Sequence, residues 1–85
     1  MPEISRFYGI VIRMFHRKHA PPHLHAHCGD DEITVEIISG VAHGRFPPTA
    51  MRLVQSWLAL HQDELLRCWR LAREGKRLPR IAPLE

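Results

Sequence analysis

Four of the seven histidines in this 85-residue chain fall within ten consecutive positions, His19-Ala20-Pro21-Pro22-His23-Leu24-His25-Ala26-His27-Cys28. Two adjacent prolines fix an extended backbone at the start of the run, because each locks its own φ and Pro22 also restricts Pro21. Beyond them the residues alternate. His23, His25 and His27 share one face of a β-strand, and Leu24, Ala26 and Cys28 share the other.

Three uses of such a strand follow from imidazole chemistry. Neutral imidazoles ligate zinc, copper or nickel, and same-face neighbours about 6.5–7 Å apart at their bases can converge on one ion. Alternatively, one imidazole takes a proton from an RNA 2′-hydroxyl while another protonates the leaving oxygen, with Arg13 or Arg45 beside the phosphate. In that use His23 and His25 are the acid–base residues and Arg45 the phosphate binder. The third use is a plain surface or interface strand whose rings bond backbone and side-chain partners. No phosphate-cradling glycine loop, nucleophile elbow or paired catalytic carboxylates occur. His16 and His43 read as isolated loop or edge residues, and His61 as a core histidine.

The elements that must hold these rings are readable from periodicity. Residues Ile4 to Phe15 predict one strand rich in β-branched and aromatic types, with Ile10, Ile12 and Met14 on its core side. The histidine strand follows, antiparallel to it. Gly29-Asp30-Asp31 turns the chain into a strand over Glu32 to Ile38, and Ser39-Gly40 turns it again into a short edge over Val41 to Phe46. Pro47-Pro48-Thr49 then opens a helix whose apolar stripe runs Ala50, Met51, Val54, Trp57, Leu58, Leu65, Cys68, Trp69, Ala72. The phase holds through His61, which predicts one long helix from about 48 to 74, ended by Gly75; Asp63 could instead cap a second helix. One such helix would run roughly 40 Å and overhang strands of about 20 Å, so a homodimer or other partner is expected to cover it. Leu78, Ile81 and Leu84 of the proline-punctuated tail are available to dock.

The expected fold class is therefore α+β: a three- to four-stranded, mainly antiparallel sheet followed by a long C-terminal helix or helical hairpin on one face. A single domain is expected over 1–85, with a β-rich part to 46, a helical part over 47–75 and an extended tail over 76–85. Two widely spaced cysteines form no disulfide framework, and no apolar run nears the length of a membrane span. With a start that does not read as a signal peptide, these features point to a cytoplasmic protein. The net charge is +3. Six of the twelve basic residues, Arg67, Arg70, Arg73, Lys76, Arg77 and Arg80, gather near the C-terminus. Such a cluster is either a solvated helix end favoured by the dipole or a surface for RNA or an acidic partner.

Several motifs together resemble the bacterial domain-of-unknown-function family 4160: Ile4-Ser5-Arg6-Phe7-Tyr8-Gly9-Ile10, Arg13-Met14-Phe15, His19-x-Pro21-Pro22-His23-x-His25-Ala26, Trp57 with His61, Glu64-Leu65 and Trp69, and Ile81-x-Pro83-Leu84. The resemblance covers nearly the whole chain, and its His-x-Pro-Pro-His-x-His-Ala segment is the specific part. It implies a short stand-alone protein often encoded beside another small protein, of family 2442, and hence a toxin–antitoxin-type module. On that footing the chain is expected to be toxin-like, since it is compact and basic where a typical antitoxin carries a disordered arm. Its partners would be a cognate small protein and RNA, with His19, Arg13, Arg67, Arg70, Arg73, Lys76 and Arg77 as binding residues. The resemblance also singles out His19, His23 and His25 as the set that would hold zinc or nickel in a non-catalytic metal-binding module. His27 and Cys28 depart from the family pattern. A pure protein-interaction module is the remaining alternative.

Overall fold

In the computed structural model, which describes residues 2–85, a five-stranded antiparallel sheet precedes two helices. The strands are β1 (Glu3–Phe7), β2 (Ile10–Arg13), β3 (His23–Cys28), β4 (Asp31–Glu36) and β5 (Ala42–Gly44), and they pair in sequence order. The α+β class is as expected, with one strand more than the three or four read from the sequence.

The extra strand comes from the N-terminal segment, which is a hairpin rather than one strand. Tyr8 and Gly9 both take positive φ, 49° and 77°, and Phe7 pairs with Ile10 across them. Two successive left-handed residues give the turn twist that antiparallel strands prefer. Glycine adopts this conformation freely, and tyrosine does so at a cost.

Alternation separates the two sheet faces. Ile10, Ile12, Met14, Leu24, Ala26, Ile33, Val35 and Ile37 are buried on the inner face. The helices α1 (Pro48–Leu60) and α2 (Gln62–Arg73) add Ala50, Val54, Trp57, Leu58, Leu65, Cys68 and Trp69 to the same core. The single long helix expected from the unbroken stripe is thus two helices. His61 takes φ −122° and ψ 24°, outside the helical region, and its N–H bonds back to Trp57 and Leu58. Gln62 Nε2 then donates to the Ile37 carbonyl at 2.9 Å, which ties the start of α2 to the end of β4. The apolar phase continues because both helices need it against one core. The overhang argued from a single helix is accordingly absent, and the described chain measures 33 × 26 × 22 Å.

α2 closes with Gly75 N–H on Ala72 and Lys76 N–H on Leu71, the paired bonds of a glycine-terminated helix. The tail docks. Ile81 is buried and its N–H donates to Ile4 at 2.8 Å along the β1 edge. Trp57 Nε1 donates to Ala82 O at 2.8 Å, and Arg80 pairs with Glu3 at 3.0 Å. No helix among the described residues is long and apolar enough to cross a membrane.

Candidate functional site

The helices pack on the inner face, so the outer face of the sheet is where polar side chains converge. Strand register sets them in rows. Arg13 on β2 pairs with His25 on β3, His25 with Thr34 on β4, and Thr34 with His43 on β5. In the next row His23 pairs with Glu36. A groove of about 430 Å³ lies over these rows, lined by Arg17, Ala20, Pro21, His23, His25, Thr34, Glu36 and His43. The proline corner forms its wall and is held to β4 by the Ile37 N–H on Pro22 O at 3.0 Å.

Each imidazole is held differently. His23 is nearly buried, between the rings of Trp69 and His25 at 5.1 and 5.2 Å. Its Nδ1 lies 2.8 Å from Pro21 O. A carbonyl only accepts, so Nδ1 carries the proton in that bond and Nε2 is the free nitrogen. His25 stacks on Phe15 at 4.3 Å and 19° between planes, and both its ring nitrogens are buried without a hydrogen-bond partner. Burial pushes its pKa below the ordinary value, and the neighbouring His23 acts in the same direction. The Glu32 carboxylate opposes this weakly from 3.6 Å, too long for a hydrogen bond. His27 Nε2 stands 3.2 Å from the same Glu32 oxygen, and His27 is outside the groove lining.

His43 is more exposed, and its Nε2 lies 2.9 Å from Glu36 Oε2. Ser39 Oγ donates to the other Glu36 oxygen at 3.2 Å. These two contacts hold the Glu36 carboxyl below the usual carboxylate range, His43 being the larger influence. The structure thus brings His23 and His25 together and adds His43, Glu36, Thr34 and Arg17, none of which the sequence reading placed in a site. The available signal for His43 was the Ser39-Gly40 turn: pairing strands back from it brings Glu36 and His43 to neighbouring rows.

Other expected residues lie elsewhere. His19 has φ 67°, is exposed, and does not line the groove, so the proline corner does not return it to His23 and His25. Arg45 follows β5, exposed and outside the lining, whereas Arg17 is within it. Arg67, Arg70, Arg73 and Arg77 are exposed on α2 and just after it, with no acidic partner in ion-pair range among the described residues; Lys76 pairs with Glu74 at 2.9 Å. Among the described residues no group of three or more His, Cys, Asp or Glu is arranged to hold a metal ion. Cys68 is buried in the core, where burial pushes its thiol up and away from reactivity.

Residues 9–70, from the Tyr8-Gly9 turn to near the end of α2, match a family described as Domain of unknown function (DUF4160). No curated protein and no solved structure matches the chain.

Proposed function

The chain belongs to the DUF4160 family, and from that footing we propose that it is a toxin-like component of a bacterial toxin–antitoxin-type module. It binds a cognate small protein and engages RNA in the groove on the outer face of its sheet. One observation carries this reading: His23, His25, His43 and Arg17 line a single groove, with Trp69 of α2 packed behind His23. Imidazoles, which can give or take a proton, together with a guanidinium suit a phosphodiester. His23 is the foremost proton-transfer residue, with His25 packed beside it. Arg17 takes the phosphate-binding place first given to Arg45. The exposed arginines of α2 supply a second basic surface for the RNA or for an acidic partner.

The reading is tested by expressing wild type and His23→Ala in a bacterial host, with and without the small protein encoded beside the gene, while following growth and RNA integrity. Wild type should arrest growth and deplete RNA, the neighbour should neutralise it, and a folded His23→Ala protein should do neither. Equal effects of wild type and variant would remove His23 from the mechanism. Absence of any effect on RNA would remove the RNA reading.

A further inference from the structure

Cleavage of RNA by proton transfer needs one group to accept a proton and one to donate, roles that two imidazoles can fill. His23 has a free Nε2 in the groove, but its neighbour His25 is poorly placed to partner it. Phe15 covers its ring, and both nitrogens are shut from solvent without a hydrogen-bond partner, the Glu32 carboxylate standing off at 3.6 Å. His43 has what His25 lacks. Its Nε2 is engaged by the Glu36 carboxylate at 2.9 Å, which leaves Nδ1 as the lone-pair nitrogen of the neutral ring, and the residue lines the same groove. Glu36 is itself fixed on its other oxygen by Ser39. A carboxylate that orients an imidazole and stabilises its cation is the arrangement by which enzymes make histidine a general base.

Resting on the RNA reading above, we propose that the His43–Glu36 pair is the general base of the groove and His23 its general acid, with single-stranded RNA as substrate. His43 Nδ1 takes the proton of a 2′-hydroxyl as that oxygen bonds to the adjacent phosphorus. The bond from phosphorus to the 5′-oxygen breaks with its electron pair on that oxygen, which receives a proton from Nε2 of His23 in its imidazolium form, while the Nδ1 proton stays in its bond to the Pro21 carbonyl. The products are a 2′,3′-cyclic phosphate and a 5′-hydroxyl, with His43 left protonated and His23 neutral. Glu36 is a positioning residue. The register spaces the pair suitably: His23 pairs with Glu36, and His43 with Thr34, two residues along. Two strand spacings and one two-residue step put their backbones about 12 Å apart, with both side chains lining the one groove.

The test uses a short single-stranded RNA and the same strand with 2′-deoxyribose at the cleaved position. Wild type should release a cyclic phosphate from the first only. His43→Ala should slow cleavage at least about 100-fold, with partial rescue by added imidazole. Glu36→Gln should slow it about 10-fold and turn the single Nε2–H tautomer of His43, read by nitrogen-15 spectroscopy of the ring, into a mixture. Full activity in His43→Ala, or RNA bound by wild type without cleavage, overturns this assignment and leaves the RNA-binding reading standing. Failure of wild type to bind the RNA at all overturns both.

Discussion

The indole N–H of Trp57 donates to the carbonyl of Ala82 at 2.8 Å, joining the fully buried ring near the C-terminal end of α1 to the tail. Trp57 also meets Phe7 of β1 at 5.4 Å between ring centroids, so one side chain touches sheet, helix and tail. Trp57→Phe should therefore cost about 1–3 kcal/mol, from one lost hydrogen bond and the space left by the smaller ring. Ile81→Ala, at the neighbouring buried position, should cost about 2–4 kcal/mol by leaving a cavity. Urea melts check both: the midpoint should fall while the slope stays constant.

Acid should loosen the same clasp. The guanidinium of Arg6, and then that of Arg80, hold the Glu3 carboxyl down to about 2. A depressed carboxylate contributes stability above its unfolded pKa and loses it as pH falls toward the folded one. The contribution is thus intact above about pH 4.5 and lost between there and about pH 2. Tryptophan emission in wild type and Glu3→Gln should follow this. The variant lacks the ion pairs throughout and should show a smaller change across that window.

His25 predicts a separate and milder acid effect. Burial lowers its pKa below the ordinary 6.5, so the unfolded chain takes up a proton before the folded one does. Stability should be full above about pH 6.5 and decline as pH falls below it. His25→Phe, which keeps an aryl stack on Phe15 and cannot be protonated, should abolish this upper limb and leave the Glu3 limb in place. Thermal melts between pH 7.5 and 4.5 are the measurement, and an upper limb unchanged in the variant would assign it to another group.

The Tyr8-Gly9 turn predicts opposite signs at adjacent positions. Gly9→Ala should destabilise by about 1 kcal/mol, because φ 77° disfavours a Cβ although open space surrounds it. Tyr8→Asn should stabilise by several tenths of a kcal/mol, since asparagine tolerates the left-handed region and the tyrosine ring is mostly exposed.

How much of this was legible in the sequence depends on the range of the interaction. Strict alternation in His23 to Cys28 located β3 and its two faces, and the stripe from Ala50 to Ala72 located the helical layer. Gly75 marked the end of α2. Two local events escaped. The hairpin at Tyr8-Gly9 lacks the asparagine or aspartate that usually signals such a turn, so an unbroken apolar pattern hid it. The break at His61, beside which Gln62 meets the end of β4, leaves no trace in the hydrophobic phase; the capping type of Asp63 was its only local mark. The site was legible by half. Pattern marked the histidines on one strand, but pairing across β4 and β5 decides which imidazole meets a carboxylate, and that chose His43.

The strand order carries a consequence for how the protein acquires its groove. Each strand pairs with its successor, and every groove residue falls between Arg17 and His43. Short loops close with little entropy, and a chain dominated by local contacts folds quickly. The tie between Arg80 and Glu3 spans nearly the whole chain and therefore carries the largest closure cost. The meander can zip hairpin by hairpin, with the tail as the last segment to settle. In native-state hydrogen exchange the amides around Ile81 should accordingly open more readily than those of β3, and the groove can stay formed while the clasp comes and goes.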